Sequence, residues 1–336
     1  MKEFITGPNE AGQRFDKYLK KLLKNAPDSF LYKMLRKKNI TLNGKKASGN
    51  EKLTEGDNVK IFFSDETFLK MSGGEESERA ADEGWTFHGE DVVYEDSDLL
   101  FVNKPAGILS QPSGDNAPDL AGGLVRYLLK NKKLTGKELA SFRPAPMNRL
   151  DRNTTGIVLC GISLPGEQFL AEAIKERRIR KEYLVLVRGA FHDEGIRDAY
   201  LKKDGNRNLV QVRRDAAPGF LPIRTGFTVL AGNDLCTLLR ADLITGRPHQ
   251  IRAHLAYLGY PVAGDTKYGD PAFNRMMAER TGLKSQFLHA ERVTFENADE
   301  RFKYLGGRSF TAPLPETFNN VLRVVGLEKE GKRRTV

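Results

Sequence analysis

Apolar positions along the first sixty residues alternate between two periods. Over 13–25, Phe15, Tyr18, Leu19, Leu22 and Leu23 recur at helical spacing with Lys17, Lys20, Lys21 and Lys24 on the opposite side, which predicts a basic amphipathic helix. Pro27 ends it. A second helix follows, capped by Asp28 or Ser29, with Phe30, Leu31, Met34 and Leu35 as its stripe and Arg36-Lys37-Lys38 at its end. The period then drops to two: Ile40-Thr41-Leu42, the turn pair Asn43-Gly44 and Lys45-Lys46 predict a hairpin, and Val59 to Phe63 a closing strand.

The pattern lapses over 65–90, where the acidic, glycine-rich tract SGGEESERAADEG reads as a linker. It resumes with two strand-like runs, Val92 to Asp96 and Leu99 to Asn103, broken by Lys104-Pro105-Ala106-Gly107. Helical spacing returns over 119–133 and 167–177, and strand spacing at Ile157 to Cys160, Tyr183 to Val187, Arg224 to Ala231 and Leu235 to Leu243. A last helix is predicted to start at Pro248 and stop at Gly259, with Ile251, Leu255 and Leu258 buried and Arg252 at the margin of that face. Short strand pairs with intervening helices predict an α+β fold: a small α/β unit over 12–64, then a larger domain over 91–325 built on a mixed, mostly antiparallel sheet flanked by helices.

Charge changes the picture. Among 336 residues, 54 Lys and Arg outnumber 44 Asp and Glu for a net +10, and the excess is concentrated near the N-terminus and in a few internal blocks, so a polyanion such as nucleic acid is the expected partner. No apolar run approaches the roughly 20 residues of a membrane span, and the N-terminus lacks a signal-peptide core, so a cytoplasmic protein is expected. Cys160 and Cys236 lie in apolar, strand-like runs and read as reduced, buried thiols. The five histidines form no metal-binding pattern and there is no phosphate-binding glycine loop.

One segment stands out chemically. In Met147-Asn148-Arg149-Leu150-Asp151-Arg152-Asn153-Thr154-Thr155-Gly156 a single carboxylate sits between two guanidinium groups, ahead of the run Ile157 to Cys160. Asp151 either caps a turn and pairs with a neighbouring Arg, or serves as a reactive carboxylate on a loop anchored by a rigid strand. Arg149, two positions away, points to the same side in an extended segment.

Two resemblances bear on that choice. The order helix, helix, ITLNGKKA and LTEGDNVKIFF over 12–64 resembles the small RNA-binding domain named after a small-subunit ribosomal protein, the S-four type. It implies that Lys33, Arg36, Lys37, Lys38, Lys45 and Lys46 meet RNA phosphates. The segments FVNKPAGI, NRLDRNTTG, RKEYLVLVRG and GRPHQIRAHLAYLGYPVAGDTKYG, in that order, resemble the large-ribosomal-subunit type of pseudouridine synthase, the RluA family.

This second resemblance implies isomerisation of uridine in RNA, most often of the large ribosomal subunit, with no metal or cofactor; an enzyme that meets one folded RNA has no need of a dimer, so a monomer is expected. Asp151 matches the family's catalytic aspartate, acting as nucleophile at the sugar or as base toward the ribose. Arg252 matches its basic partner. Tyr183 matches the tyrosine that stacks on the extruded uracil and can move a proton at carbon 5; on spacing alone it is core. Arg149 is implied to displace the flipped base, or else to touch phosphate. Lys104 and Arg247 are candidates for phosphate contacts, and the substrate-site candidate His249, with Gln250, for orienting the start of the Arg252 helix by hydrogen bonds. Asn148 and Thr155 stand where members commonly have His and Ser; Asn cannot titrate, whereas Thr keeps the hydroxyl. The competing readings are a non-catalytic RNA-binding or ribosome-assembly factor on the same fold, and a glycoside hydrolase, which lacks a second carboxylate at the matching site.

Overall fold

The computed structural model describes residues 1–72, 84–113, 117–139, 142–204 and 209–328. At the N-terminus, helices α1 (Phe15–Leu22) and α2 (Asp28–Arg36) pack on a four-stranded sheet ordered β1 (Lys2–Ile5), β4 (Asn58–Ile61), β2 (Ile40–Leu42), β3 (Lys45–Lys46). Their predicted stripes meet: Phe15, Leu19, Leu23, Leu31 and Leu35 are buried against Ile40, Val59 and Ile61. Asn43 and Gly44 both take left-handed backbone angles, φ 51° and 71°, as a two-residue hairpin of the predicted kind requires.

The small unit is larger than 12–64. β1 pairs with β4, and helix α3 (Asp65–Ser72), inside the stretch read as linker, lays Phe68 and Met71 on the same core while the Asn25 amide donates to the Met71 carbonyl. At the other end of that stretch, Trp85 and Phe87 pack onto the next domain, the Phe87 ring stacking on Tyr127 at 4.6 Å. Apolar residues too sparse to show a period thus still find a core. The tract between, 73–83, lies outside the described residues.

The larger sheet joins eleven strands among the described residues. β11 (Leu209–Arg213), β10 (Gly195–Asp204), β12 (Leu221–Gly232), β13 (Cys236–Leu243), β9 (Ile179–Arg188), β14 (Leu288–Phe295), β8 (Thr155–Gly161), β6 (Leu99–Lys104) and β5 (Val92–Glu95) follow one another, with β15 (Ser309–Thr311) on β14 and β7 (Ala145–Pro146) on β8. All pairs are antiparallel except β14 with β8. The result is the expected mixed, mostly antiparallel sheet.

Period-two alternation sorts the sheet's two faces. Tyr183, Val185 and Val187 of β9 meet α4 (Leu120–Lys130) and α6 (Gln250–Tyr257); Leu186 points the other way, into the core made by α7 (Pro271–Thr281) and α8 (Glu316–Val324). A second core on that side joins Phe101, Ile157 and Leu159 to α5 (Leu164–Lys175) through Phe169 and Leu170. Cys160 and Cys236 are buried free thiols. Gly156, φ 110°, sits where β8 and β14 run parallel, and a Cβ there would lie 2.3 Å from the Ala290 carbonyl oxygen, so any side chain would part β14 from β8, the strand that anchors the Asp151 loop. Among the described residues no helix is long and apolar enough to cross a membrane.

Candidate active site

The loop 147–154 enters β8 and is tied down at each end. The Asn148 side-chain oxygen accepts from the Leu159 amide at 2.7 Å, the Thr154 amide donates to the Asp151 carbonyl at 3.0 Å, and the Thr155 hydroxyl bonds His289 Nδ1 at 2.8 Å. Asn148 therefore does the structural work of an amide oxygen, for which titration is irrelevant. His289 Nε2 lies 3.2 Å from the Ala312 carbonyl; burial, opposed in part by that bond, lowers its pKa to about 4, so the ring is neutral and Nδ1 accepts from Thr155.

Lys104 departs from expectation. Read as a phosphate contact, it is instead fully buried, and its ammonium donates to the carbonyls of Pro105 and Ile108 at 2.8 Å and of Arg152 at 3.0 Å. Burial pulls its pKa down to about 7, against the charge on Asp151. Three donors on three carbonyls pin the 151–154 turn to the end of β6. Lys104→Met leaves the Pro105 and Ile108 carbonyls unpaired, the Arg152 carbonyl keeping the Gly107 amide, and is expected to destabilise the protein by about 2–3 kcal/mol. Thermal unfolding measures that. A weaker salt dependence of RNA binding with unchanged melting would instead restore the phosphate role.

Opposite the loop, α6 starts two residues later than predicted. Pro248 lies in the preceding turn and His249, φ 54°, caps the helix in a left-handed conformation. Gln250 holds that turn: its amide nitrogen donates to the Arg224 carbonyl and Thr225 hydroxyl at 3.1 and 3.0 Å, and its oxygen accepts from the Arg247 amide at 3.1 Å. Gly259, φ 92°, follows the helix end as expected.

Arg252 is 4% exposed and reaches across to Asp151, Nη1 donating to Oδ2 at 2.7 Å, 101 residues away in sequence. Its other edge forks onto Asp265, Nε to Oδ2 at 2.7 Å and Nη2 to Oδ1 at 2.8 Å, over the ring of Tyr268. Burial works against the Arg252 charge, but the Asp265 bonds and the charges on Asp265 and Asp151 raise its pKa above the ordinary arginine value. Burial likewise works against Asp265, and its bonds and charge pairing with Arg252 outweigh it, lowering its pKa. Asp265 carried no expectation in the sequence, although it lies inside GDTKYG; the signal was a buried arginine in need of a full counter-charge.

His249 Nδ1 bonds the Tyr268 hydroxyl at 2.8 Å and Nε2 stands 3.9 Å from Asp151 Oδ1. Burial lowers its pKa, with Asp151 opposing. Asp151 Oδ1 accepts no hydrogen bond among the described residues. Tyr183 lies on β9 two strands from β8; burial first, then the Asp151 charge, raises its hydroxyl pKa, so the group stays protonated.

Asp151, Tyr183, Arg252, Arg149, Arg247 and His249 all line one cleft of about 1050 Å³. Arg149 and Arg247 are exposed on its rim. Its described lining holds nine Lys and Arg residues and one acidic residue, Asp151. A lone carboxylate, oriented by a buried arginine inside a cationic cleft, suits chemistry on a polyanion. The six basic residues expected to meet RNA, Lys33, Arg36, Lys37, Lys38, Lys45 and Lys46, are exposed on α2, its end and the β2–β3 hairpin of the small unit.

Residues 98–257, which hold most of this site, match the family model described as RNA pseudouridylate synthase. The chain is 32% identical over 295 residues to the ribosomal large subunit pseudouridine synthase C of Escherichia coli K12, covering 85% of this chain and 86% of that protein. With the Haemophilus ducreyi protein of the same name it shares 30% identity over 339 residues, 97% of this chain and 96% of that one. Among solved structures, human RNA pseudouridylate synthase domain containing 4 shares the fold, with a TM-score of 0.57 at 20% identity, over 71% of this chain and 94% of that chain. The chain belongs to the RNA pseudouridylate synthase family.

Proposed function

We propose that this enzyme converts specific uridines of large-subunit ribosomal RNA to pseudouridine, with Asp151 as its catalytic carboxylate. The observation that carries the reading is the position of Asp151, the single acid in the described lining of a cleft with nine Lys and Arg. The names of the two bacterial relatives supply the choice of RNA.

Detaching uracil from ribose leaves an electron-poor sugar carbon, or requires a proton to be taken from the ribose. A carboxylate held on one oxygen by Arg252 and open on the other serves either step. Reaching the bond requires the uridine to leave its stack, and the Tyr183 ring on the cleft wall offers a surface for the extruded base. The protonated Tyr183 hydroxyl can exchange a proton at carbon 5 after the base has turned. Arg149, on the rim beside Asp151, fills the space the uridine leaves or grips a neighbouring phosphate. Arg247 adds a second rim contact, and His249 orients the turn before Arg252.

In this reading, residues 12–64 form an S-four-type RNA-binding domain whose exposed basic edge adds affinity with little sequence choice, and 91–325 form the catalytic domain. One copy supplies every residue invoked, which supports a monomer, and free thiols together with a ribosomal RNA substrate support a cytoplasmic setting.

The experiment is position-resolved mapping of pseudouridine in total RNA from a strain lacking the gene. Sites lost from large-subunit rRNA and regained with the wild-type gene support the reading. Sites lost only from transfer RNA would move the substrate, and an unchanged map, with no tritium released from uracil labelled at carbon 5, would leave a binding factor.

A further inference from the structure

The segment RKEYLVLVRG contributes a second side chain to the cleft that the reaction above leaves unused. Lys181 sits on β9 two residues before Tyr183, so the two share a face of the sheet about 7 Å apart along the strand, and both line the cleft. Glu182, between them, turns to the other face, where Arg180 and Arg240 surround it. The described lining of the cleft that holds Lys181 also includes the apolar Ile174 and Leu243 and the cations Lys175, Arg177 and Lys203, with Asp151 as its one acid. Among the described residues no hydrogen bond or ion pair reaches its ammonium, although the side chain is largely enclosed and burial alone lowers its pKa. An enclosed cation without a counter-ion is unfavourable in the free enzyme, and such groups persist where a ligand supplies the missing charge.

We propose that Lys181 is the phosphate subsite for the flipped nucleotide: with the uracil ring on Tyr183, a backbone phosphate of that nucleotide meets the Lys181 ammonium one strand step away. The inference rests on the function proposed above and deepens it. Arg149 and Arg247 are exposed, hydrated cations that contribute to any RNA contact. Lys181 is reached only by a nucleotide that has entered the cleft, so its contact is made after flipping and adds to the affinity of the flipped state.

The test uses the full-length protein with large-subunit rRNA purified from a strain lacking the gene. Lys181→Met and Lys181→Arg are compared with wild type by filter binding across a salt series, by tritium release from RNA labelled at uracil carbon 5, and by thermal unfolding. Lys181→Met is expected to weaken RNA binding on the order of ten-fold and to flatten the plot of log Kd against log salt by about 0.7 to 1, the contribution of one phosphate. The loss in kcat/KM falls on KM, melting holds or rises, and Lys181→Arg recovers most of the affinity. An unchanged salt slope overturns the proposal. So does a loss confined to kcat with a displaced pH profile, which would make Lys181 a proton-transfer group, or a loss confined to melting, which would make it structural. If wild type releases no tritium, the proposed reaction fails, and the binding slopes still decide Lys181.

Discussion

Asp151→Asn is expected to lower tritium release from uracil-labelled rRNA by at least about a thousand-fold, a rise of about 4 kcal/mol in the barrier, while folding and RNA affinity hold. The size follows from what the carboxylate does: an amide neither attacks a sugar carbon nor removes a proton. Folding holds because Arg252 keeps both bonds to Asp265, and the Asn side-chain oxygen still accepts from Nη1. Asp151 is also one of the less buried members of the cluster, its side chain 26% exposed. Circular dichroism and filter binding on the same preparation separate the outcomes. Activity within ten-fold of wild type would remove Asp151 from the chemistry; loss of activity together with melting would show a structural carboxylate.

Asp151, Tyr183 and Arg252 were legible because each lies in a short segment whose residue types and order are distinctive, and the cleft brings them together across 101 residues of sequence. The two helices of the small unit were legible from period, since one buried face is enough to set it, and β2 to β4 from short apolar runs and the Asn43-Gly44 turn pair, whereas the four-residue β1 was not. Other features were hidden for physical reasons. Lys104 beside Pro105 reads as a surface charge, because sequence does not show three carbonyls converging on one point. β14 lies between two partners, one parallel and one antiparallel, and its LHAERVTF mixes a buried His with an exposed-looking Arg, so no clean alternation marks it. α3 has a weak stripe and opens the stretch read as linker.

Asp265 was hidden for a different reason: a buried acid shows itself only through its partner. Its side chain accepts four hydrogen bonds, two from Arg252 and two from the amides of Lys267 and Tyr268 at 2.8 and 3.1 Å. The Lys267–Tyr268 turn in turn presents the Tyr268 hydroxyl to His249 Nδ1 and receives the Val210 amide at 2.9 Å. One carboxylate thus sets the position of Arg252 and of the ring beneath it, and through them of Asp151 and His249.

Asp265→Asn is therefore expected to damage both stability and rate. The amide nitrogen must take the place of Oδ2, facing Arg252 Nε, or of Oδ1, facing Arg252 Nη2 and both backbone amides, so a donor meets a donor either way, and Arg252 is left with Asp151 as its one carboxylate partner in the cluster. Breaking a buried pair in this way costs about 3–5 kcal/mol, which should lower the melting temperature by roughly 10 °C. Below that transition the folded variant should still bind RNA, since the rim cations are untouched, yet lose kcat by on the order of a hundred-fold because the Asp151 oxygen is no longer held within bonding distance of its target. Wild-type melting with reduced kcat would limit Asp265 to orientation. Wild-type kcat with reduced melting would mean that Arg252 holds Asp151 unaided, and the chain of contacts from Asp265 would then serve the fold alone.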